Sequence, residues 1–407
     1  MRALTPDGRW LFVTRFTRMF GYGLLSVVLV LYLAQIGLAE TSIGLLFTFT
    51  LIGDTAISLW LTTRADRLGR RRTLQLGALL MIFAAGLFAL TQDFAVLLIA
   101  ATIGVISPSG HEVGPFLSIE QAALSHIVPG DRRTGIFAWY NLAGSFAAAF
   151  GALCGGGLAQ VLQNNGWSPL ASYRANVIGY GAIGLLLAVL FTRLSPMIEV
   201  DAHAVSPRAD WLGLHRSRRV VLRLSALFSL DAFAGGFIVQ SFVAYWFYVR
   251  FSAEPALLGA IFFGANLLAG ISALSAARLA KRIGLINTMV LTHLPSNVLL
   301  MLVPLMPTLP LAIALLLVRY SISQMDVPTR QSYTMAVVAA DERSAAAGVT
   351  GVARTTGAAL SPSIAGALLN QAALLSAPFF IAGGLKIIYD MLLYHSFKST
   401  EPPEEQV

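Results

Sequence analysis

His111 and Glu112 are neighbours in the run IGVISPSGHEVGPFLSIEQ, residues 103 to 121, which sets two prolines, three glycines, a histidine and two glutamates in apolar surroundings. A carboxylate in a partly dry cavity exchanges protons near neutral pH, because desolvation disfavours its charge. Imidazole titrates in the same range. Glu112 and Asp231 are therefore the leading proton carriers, and His111 is either a third titrating group or a hydrogen-bonded helix residue. The other acids in apolar runs are Asp54, Glu120 and Asp326; the bases are Arg15, Arg18, Arg319, Arg330, Arg354 and Lys386. Each is expensive there and faces a cavity or a partner. Their near balance in sign predicts internal pairs.

The elements that must hold these residues follow from composition. The 407 residues are 56% hydrophobic and only 12% charged, with a mean hydropathy of +0.72. A soluble chain carries about 25% charged residues, so a polytopic membrane protein is predicted. Apolar segments long enough to span a bilayer number twelve, at about 11–35, 43–62, 74–91, 95–125, 134–161, 173–194, 221–249, 257–277, 287–306, 308–338, 344–369 and 376–397. The first is read as a retained helix, since no small-residue cleavage site follows it. One long polar interruption divides the chain into a bundle at 1–194, a central loop at 195–220 and a second bundle at 221–407. On this reading Arg15 and Arg18 share one helix face, paired or snorkelling to the interface. Asp231 and Arg354 lie near mid-depth.

If the N-terminus is cytoplasmic, twenty lysines and arginines fall on that side, against Arg174 and Arg250 on the other. This predicts both termini inside. The net charge of +8 is then a topology signal and needs no nucleic-acid partner. The single cysteine, Cys154, excludes an intrachain disulfide. The six histidines form no ligand-spaced cluster, so no metal is expected. Nothing has the form of a P-loop or a nucleophile elbow, so no cofactor and no enzymatic activity are expected.

An internal repeat relates the halves. At an offset of 210, Gln121 meets Gln331, Asp131 meets Asp341, Arg133 meets Arg343, Gly156 meets Gly366 and Leu158 meets Leu368. At an offset of 211, RLGRR beginning at Arg67 matches RLAKR beginning at Arg278. Glu120 and Arg330 are therefore equivalent positions. They would either pair across a pseudo-twofold axis at a cytoplasmic gate or each serve its own half.

The loop between the second and third spans, TTRADRLGRR, carries Asp66, Arg67, Gly69, Arg70 and Arg71. With VPGDRRTG at 128 to 135 and the glycine-rich GALCGGG at 151 to 157, it resembles the major facilitator superfamily of secondary transporters. Thr62 stands where the family's loop motif has glycine, and Ala152 where its antiporter motif has proline. The resemblance implies an all-α fold of two homologous six-helix bundles, with the central cavity lined by spans 1, 4, 7 and 10. It implies a small-molecule substrate, alternating access and protons as the coupling ion. Export is preferred to uptake symport or uniport, and a transport-incompetent sensor is the alternative from another class. The expected site comprises His111, Glu112, Asp231, Arg354, Arg15 and Arg18. A cytoplasmic gate is expected from Asp66, Arg67, Gly69, Arg70, Arg71, Glu120, Arg330, Asp131, Arg133, Asp341 and Arg343. A monomer in a bacterial inner membrane is the expected setting. Within that frame Pro108 and Pro115 remove helix donors in the fourth span. The resulting kink either brings His111 or Glu112 to the substrate or proton site, or only shapes packing while Glu112 pairs with an arginine.

Overall fold

The computed structural model describes residues 5–128, 130–199, 214–339 and 342–398, and all of its regular structure among these is helical. The first span is α1 (Pro6–Ser26) with α2 (Leu29–Gln35), bent by 43°. The second and third are α3 (Glu40–Leu68) and α4 (Arg70–Leu90). The fourth is split into α5 (Phe94–Ile103) and α6 (Phe116–Ile127), followed by α7 (Gly130–Asn164) and α8 (Pro169–Phe191). The seventh is α9 (Arg218–Gly236) with α10 (Gln240–Phe251), and the eighth and ninth are α11 (Pro255–Ile283) and α12 (Leu285–Leu302). The tenth is α13 (Leu309–Ile322) with α14 (Asp326–Ala336). Last come α15 (Arg343–Leu369) and α16 (Ala377–Phe397).

Among the described residues nine stretches are long and apolar enough to cross a bilayer, or ten with the bent first pair. The expected fourth span, 95–125, is not one helix, and α15 is diluted by Arg354 and its serines, threonines and glycines. Local chemistry sets the ends. Thr5 caps α1 ahead of Pro6, Asp93 caps α5 through the Val96 N–H, and Ser168 caps α8 through the Ala171 N–H. Gly69, at φ +92°, ends α3 and starts α4, a conformation that glycine adopts without a Cβ clash.

Two compact units result: Met1–Ser206 with Val239–Asn266, and Pro207–Ile238 with Leu267–Val407. The units are not the two contiguous halves, because residues 239–266 join the first. Hydrogen bonds explain this. The Ser241 N–H donates to the Pro108 carbonyl at 3.1 Å, its hydroxyl donates to the same carbonyl at 2.6 Å, and the Tyr245 hydroxyl donates to Glu40. The expected central loop lies largely at 200–213, outside the described residues.

Inside the first unit α1 packs along α7, and inside the second α9 packs along α15, an equivalent pairing in the two halves. The first contact is backbone-close. A Cβ on Gly23 would sit 2.1 Å from the Ala148 carbonyl oxygen, and one on Gly155 would sit 2.2 Å from that of Leu24. Small residues permit this approach where lipid offers no hydrophobic drive to hold helices together. In the second unit Leu224, Phe228, Met289, Tyr333, Tyr389, Leu393 and Phe397 form a buried apolar cluster. Leu79, Ile99, Leu185, Leu291 and Met391 are exposed.

All four spans expected to line a cavity are interrupted: at 27–28, 104–115, 237–239 and 323–325. The repeat offset carries the first break onto the third and the end of the second onto the fourth. Pro108, Pro115, Gly110 (φ +68°) and Gly114 (φ +81°) cause the longest gap. Backbone freed at membrane depth is tolerated only when protein or a watery cavity covers it. Here the freed carbonyls of Val105 and Val113 accept the Tyr180 and Tyr22 hydroxyls, and Ser241 covers Pro108.

Candidate functional site

In the first unit α1 presents Arg15 and Arg18 to the broken fourth span. Arg18 Nε donates to Glu112 Oε1 at 2.8 Å, while its two terminal nitrogens grip both oxygens of Glu120 at 2.8 and 2.7 Å. Arg15 Nη1 donates to Glu112 Oε2 at 2.7 Å and its Nε to the Tyr140 carbonyl at 3.0 Å. Glu120 also accepts the Thr14 hydroxyl at 2.9 Å and that of Tyr140. Arg15 lies over the Tyr140 ring and Arg18 over Phe116, each 4.6 Å from the centroid. Two cations and two carboxylates thus balance in a dry site. Arg18 and Glu120 are wholly buried, whereas Glu112 keeps 15% of its side chain exposed. The fork-on-carboxylate geometry is the strong form of a charge-assisted pair. Breaking such a buried pair costs about 3–5 kcal/mol.

The unwound stretch sets Glu112 apart from Glu120, which sits on α6. His111 is exposed as a residue, and its carbonyl accepts the Ser107 hydroxyl at 2.7 Å. Across from this stretch, Asp54 on α3 accepts the Gly114 N–H at 2.5 Å and the Ser58 hydroxyl at 3.2 Å.

The second unit buries its own cluster around Asp231 on α9. Lys386 Nζ of α16 donates to Asp231 Oδ1 at 2.5 Å, and Arg330 Nη1 of α14 donates to Asp231 Oδ2 and Asp326 Oδ2, each at 3.1 Å. His293 of α12 bridges two carboxylates, with Nδ1 2.8 Å from Asp390 Oδ1 and Nε2 3.8 Å from Asp231 Oδ1. Asn297 donates to the other Asp390 oxygen at 3.0 Å. Arg354 on α15 is half-buried within electrostatic reach of Asp231 and Asp326. Three aspartates face Lys386, Arg330 and Arg354, so the charge closes when His293 is neutral. Glu120 and Arg330, equivalent by the repeat, each direct their hydrogen bonds into the cluster of their own unit.

Reasoning from sequence passed over His293, Asn297 and Asp390, and Lys386 stood last among its bases. The available signal was spacing: His293 with Asn297, and Lys386 with Asp390, are four apart, so each pair shares a helix face within an apolar run.

Of the expected gate residues, Asp341 lies outside the described residues, as do the side chains of Asp66, Arg67, Asp131 and Arg133. Arg343 is exposed. Gly69, Arg70 and Arg71 hold the segment after α8: Glu199 accepts the Arg70 and Arg71 N–H groups at 2.6 and 3.1 Å, and Arg70 Nη1 donates to the Ile198 carbonyl at 3.1 Å. An acid at a helix N-terminus satisfies orphan donors and opposes the helix dipole. Glu342 does the same for α9, taking the N–H groups of His215, Arg216 and Ser217 at 2.6, 2.6 and 2.8 Å. Desolvation pushes its carboxyl up, but these hydrogen bonds and that of the Ser217 hydroxyl outweigh it and hold the group at about 2.

Among the described residues no three His, Cys, Asp or Glu side chains are grouped to hold a metal ion.

YJR124C of Saccharomyces cerevisiae, an uncharacterized membrane protein, is 30% identical over 96% of this chain and 94% of its own length. The quinolone resistance protein NorA of Staphylococcus aureus is 26% identical over 180 residues, 44% of this chain and 42% of its own length. The crystal structure of the nucleoside transporter NupG superposes with a TM-score of 0.73 at 14% identity, over 97% of this chain and 100% of that one, a likeness of fold alone. The profile of the Major Facilitator Superfamily matches residues 11–325. Interrupted apolar spans, a duplicated bundle and this match make the chain a member of the Major Facilitator Superfamily, a multi-pass membrane transporter of small substrates and not an enzyme.

Proposed function

We propose that this transporter moves a small organic molecule by alternating access coupled to protons, and that it exports its substrate in exchange for protons. The observation that carries the reading is Glu112. It is the partly exposed carboxylate of an otherwise dry cluster, it stands on unwound backbone, and it is held by both Arg15 and Arg18. A proton delivered to Glu112 removes the charge that restrains two guanidinium groups. Arg18 keeps its grip on Glu120, and Arg15 turns to another acceptor, such as one on the substrate. Asp231 is the counterpart in the second unit, where a proton would loosen Lys386 and Arg330 and draw on His293 and Arg354. Local similarity to NorA supports export.

Positive charge on one side supports a plasma-membrane orientation with both termini cytoplasmic. On that side the TTRADRLGRR loop belongs to the proposed gate, and its Arg70 and Arg71 hold residues 194–199 of the same unit.

The test is transport by purified protein in liposomes loaded with a pH-sensitive dye, challenged with a panel of organic compounds. Proton movement out of the compartment that the substrate enters supports antiport. Movement with the substrate indicates symport, and substrate flux without protons overturns the coupling. Glu112→Gln and Asp231→Asn are each expected to lower coupled flux by about tenfold or more.

A further inference from the structure

One half-buried acid at mid-span stands outside both clusters. Asp54 lies midway along α3, and among the described residues it makes no ion pair with any arginine, lysine or histidine. Its partners are one backbone N–H, from Gly114, and one hydroxyl, from Ser58 of its own helix. Glu112, Glu120, Asp231, Asp326 and Asp390 all have a cationic or histidine partner. The ionisable groups around Asp54 do not change that contrast. The unwound stretch brings Glu112, of like charge, and the exposed His111. Tyr22 of α1 and Tyr180 of α8 lie within electrostatic reach, with their hydroxyls donating to Val113 and Val105. Against α3 also pack α2, whose ionisable residue is Tyr32, and α5, which has none. There too are α4, whose arginines stand at its start, and α6, whose Glu120 is taken by Arg18.

We propose that Asp54 is the proton-binding switch of the broken fourth span: taking up a proton, it releases the Gly114 N–H and lets residues 104–115 rearrange, which moves Glu112 away from Arg15 and Arg18. This rests on the proton-coupled reading and adds to it the group that converts a proton into a change of backbone.

The geometry gives the switch its reach. Gly114, at φ +81°, stands two residues after Glu112 and two before Phe116, where α6 begins. The Asp54 bond therefore fixes the backbone between the ion-paired carboxylate and the helix that carries Glu120. A carboxylate accepts that N–H more strongly when ionised, and a neutral acid gives up most of the charge-assisted part. The rest of the contact cannot yield. A Cβ on Gly53 would lie 1.8 Å from the Thr102 carbonyl oxygen, so α3 and α5 are locked backbone to backbone one residue before Asp54. Movement is confined to the unwound stretch. Unlike Glu112, Glu120, Asp231, Asp326 and Asp390, Asp54 holds no cation or histidine, so a proton neutralises it without stranding a buried cation.

The test needs no substrate. Ser118, exposed in the first turn of α6, is replaced by cysteine in a Cys154→Ala background, tagged with a trifluoromethyl thiol reagent and followed by fluorine NMR in lipid nanodiscs between about pH 5 and pH 8. The signal is expected to move through a single titration step. Asp54→Asn should abolish the step and hold the signal at its low-pH position, Asp54→Glu should keep a displaced step, and His111→Gln should leave it unchanged. Monodisperse elution of each variant certifies the fold. A step that survives Asp54→Asn, a step lost in Glu112→Gln with Asp54 intact, or no step in the parent overturns the proposal. Failure of substrate-driven proton flux overturns the coupled-transport reading instead, since the fluorine signal reports the helix alone.

Discussion

At the scale of single residues, burial separates two glutamates that the sequence presents as similar. Glu120 is wholly buried with every acceptor engaged, so Glu120→Gln takes the two-pronged partner from the wholly buried Arg18 and is expected to cost about 3–5 kcal/mol, read as a lower midpoint of thermal unfolding in detergent. Glu112 retains solvent contact, so Glu112→Gln should unfold within a few degrees of the parent while transport suffers. Glu342 makes a pH prediction. Its carboxyl is depressed from 4.5 to about 2, so its contribution is fully present above the unfolded value and is lost as pH falls through that window. The gap in unfolding midpoint between the parent and Glu342→Gln should narrow steadily as pH falls from about 4.5 to about 2. A gap independent of pH would show that the carboxylate charge does not anchor α9. The shared face of Arg15 and Arg18 was legible because their spacing of three fixes it. The His293–Asp390 contact was not, because the two lie 97 residues apart on different helices and only the packing of α12 on α16 brings them together.

At the scale of elements, breaks in helices were readable only where proline writes them. Pro108 and Pro115 announce the gap at 104–115, whereas the breaks at 27–28 and 237–239 contain no proline. The converse also holds: Pro295 and Pro362 lie inside continuous helices. Tight seams between helices are likewise set by partners that sequence does not pair. Gly23→Ala would drive a methyl into the Ala148 backbone, and overpacking of this kind costs about 1–3 kcal/mol. Gly86 has nothing within 4 Å of its Cβ position, so Gly86→Ala should gain up to about 1 kcal/mol from helix propensity. Thermal unfolding of the two variants checks the contrast, and equal shifts would refute the close α1–α7 seam.

At the scale of the whole molecule, the repeat, the apolar spans and the family were legible, since hydropathy and a 210-residue offset need no tertiary information. The partition into compact units was not. It depends on Ser241 and Tyr245 bonding to Pro108 and Glu40, contacts between positions more than 130 residues apart. Orientation belongs to this scale too. Reporter fusions after Lys398 and in the 200–213 segment should both be active only with a cytoplasmic reporter. The central claim is proton coupling. Its most direct measurement is substrate-induced proton movement in dye-loaded proteoliposomes held at zero membrane potential. Protons are expected to move against the substrate in the parent and at about a tenth of that rate or lower in Glu112→Gln; substrate flux with no proton movement in the parent would contradict coupling.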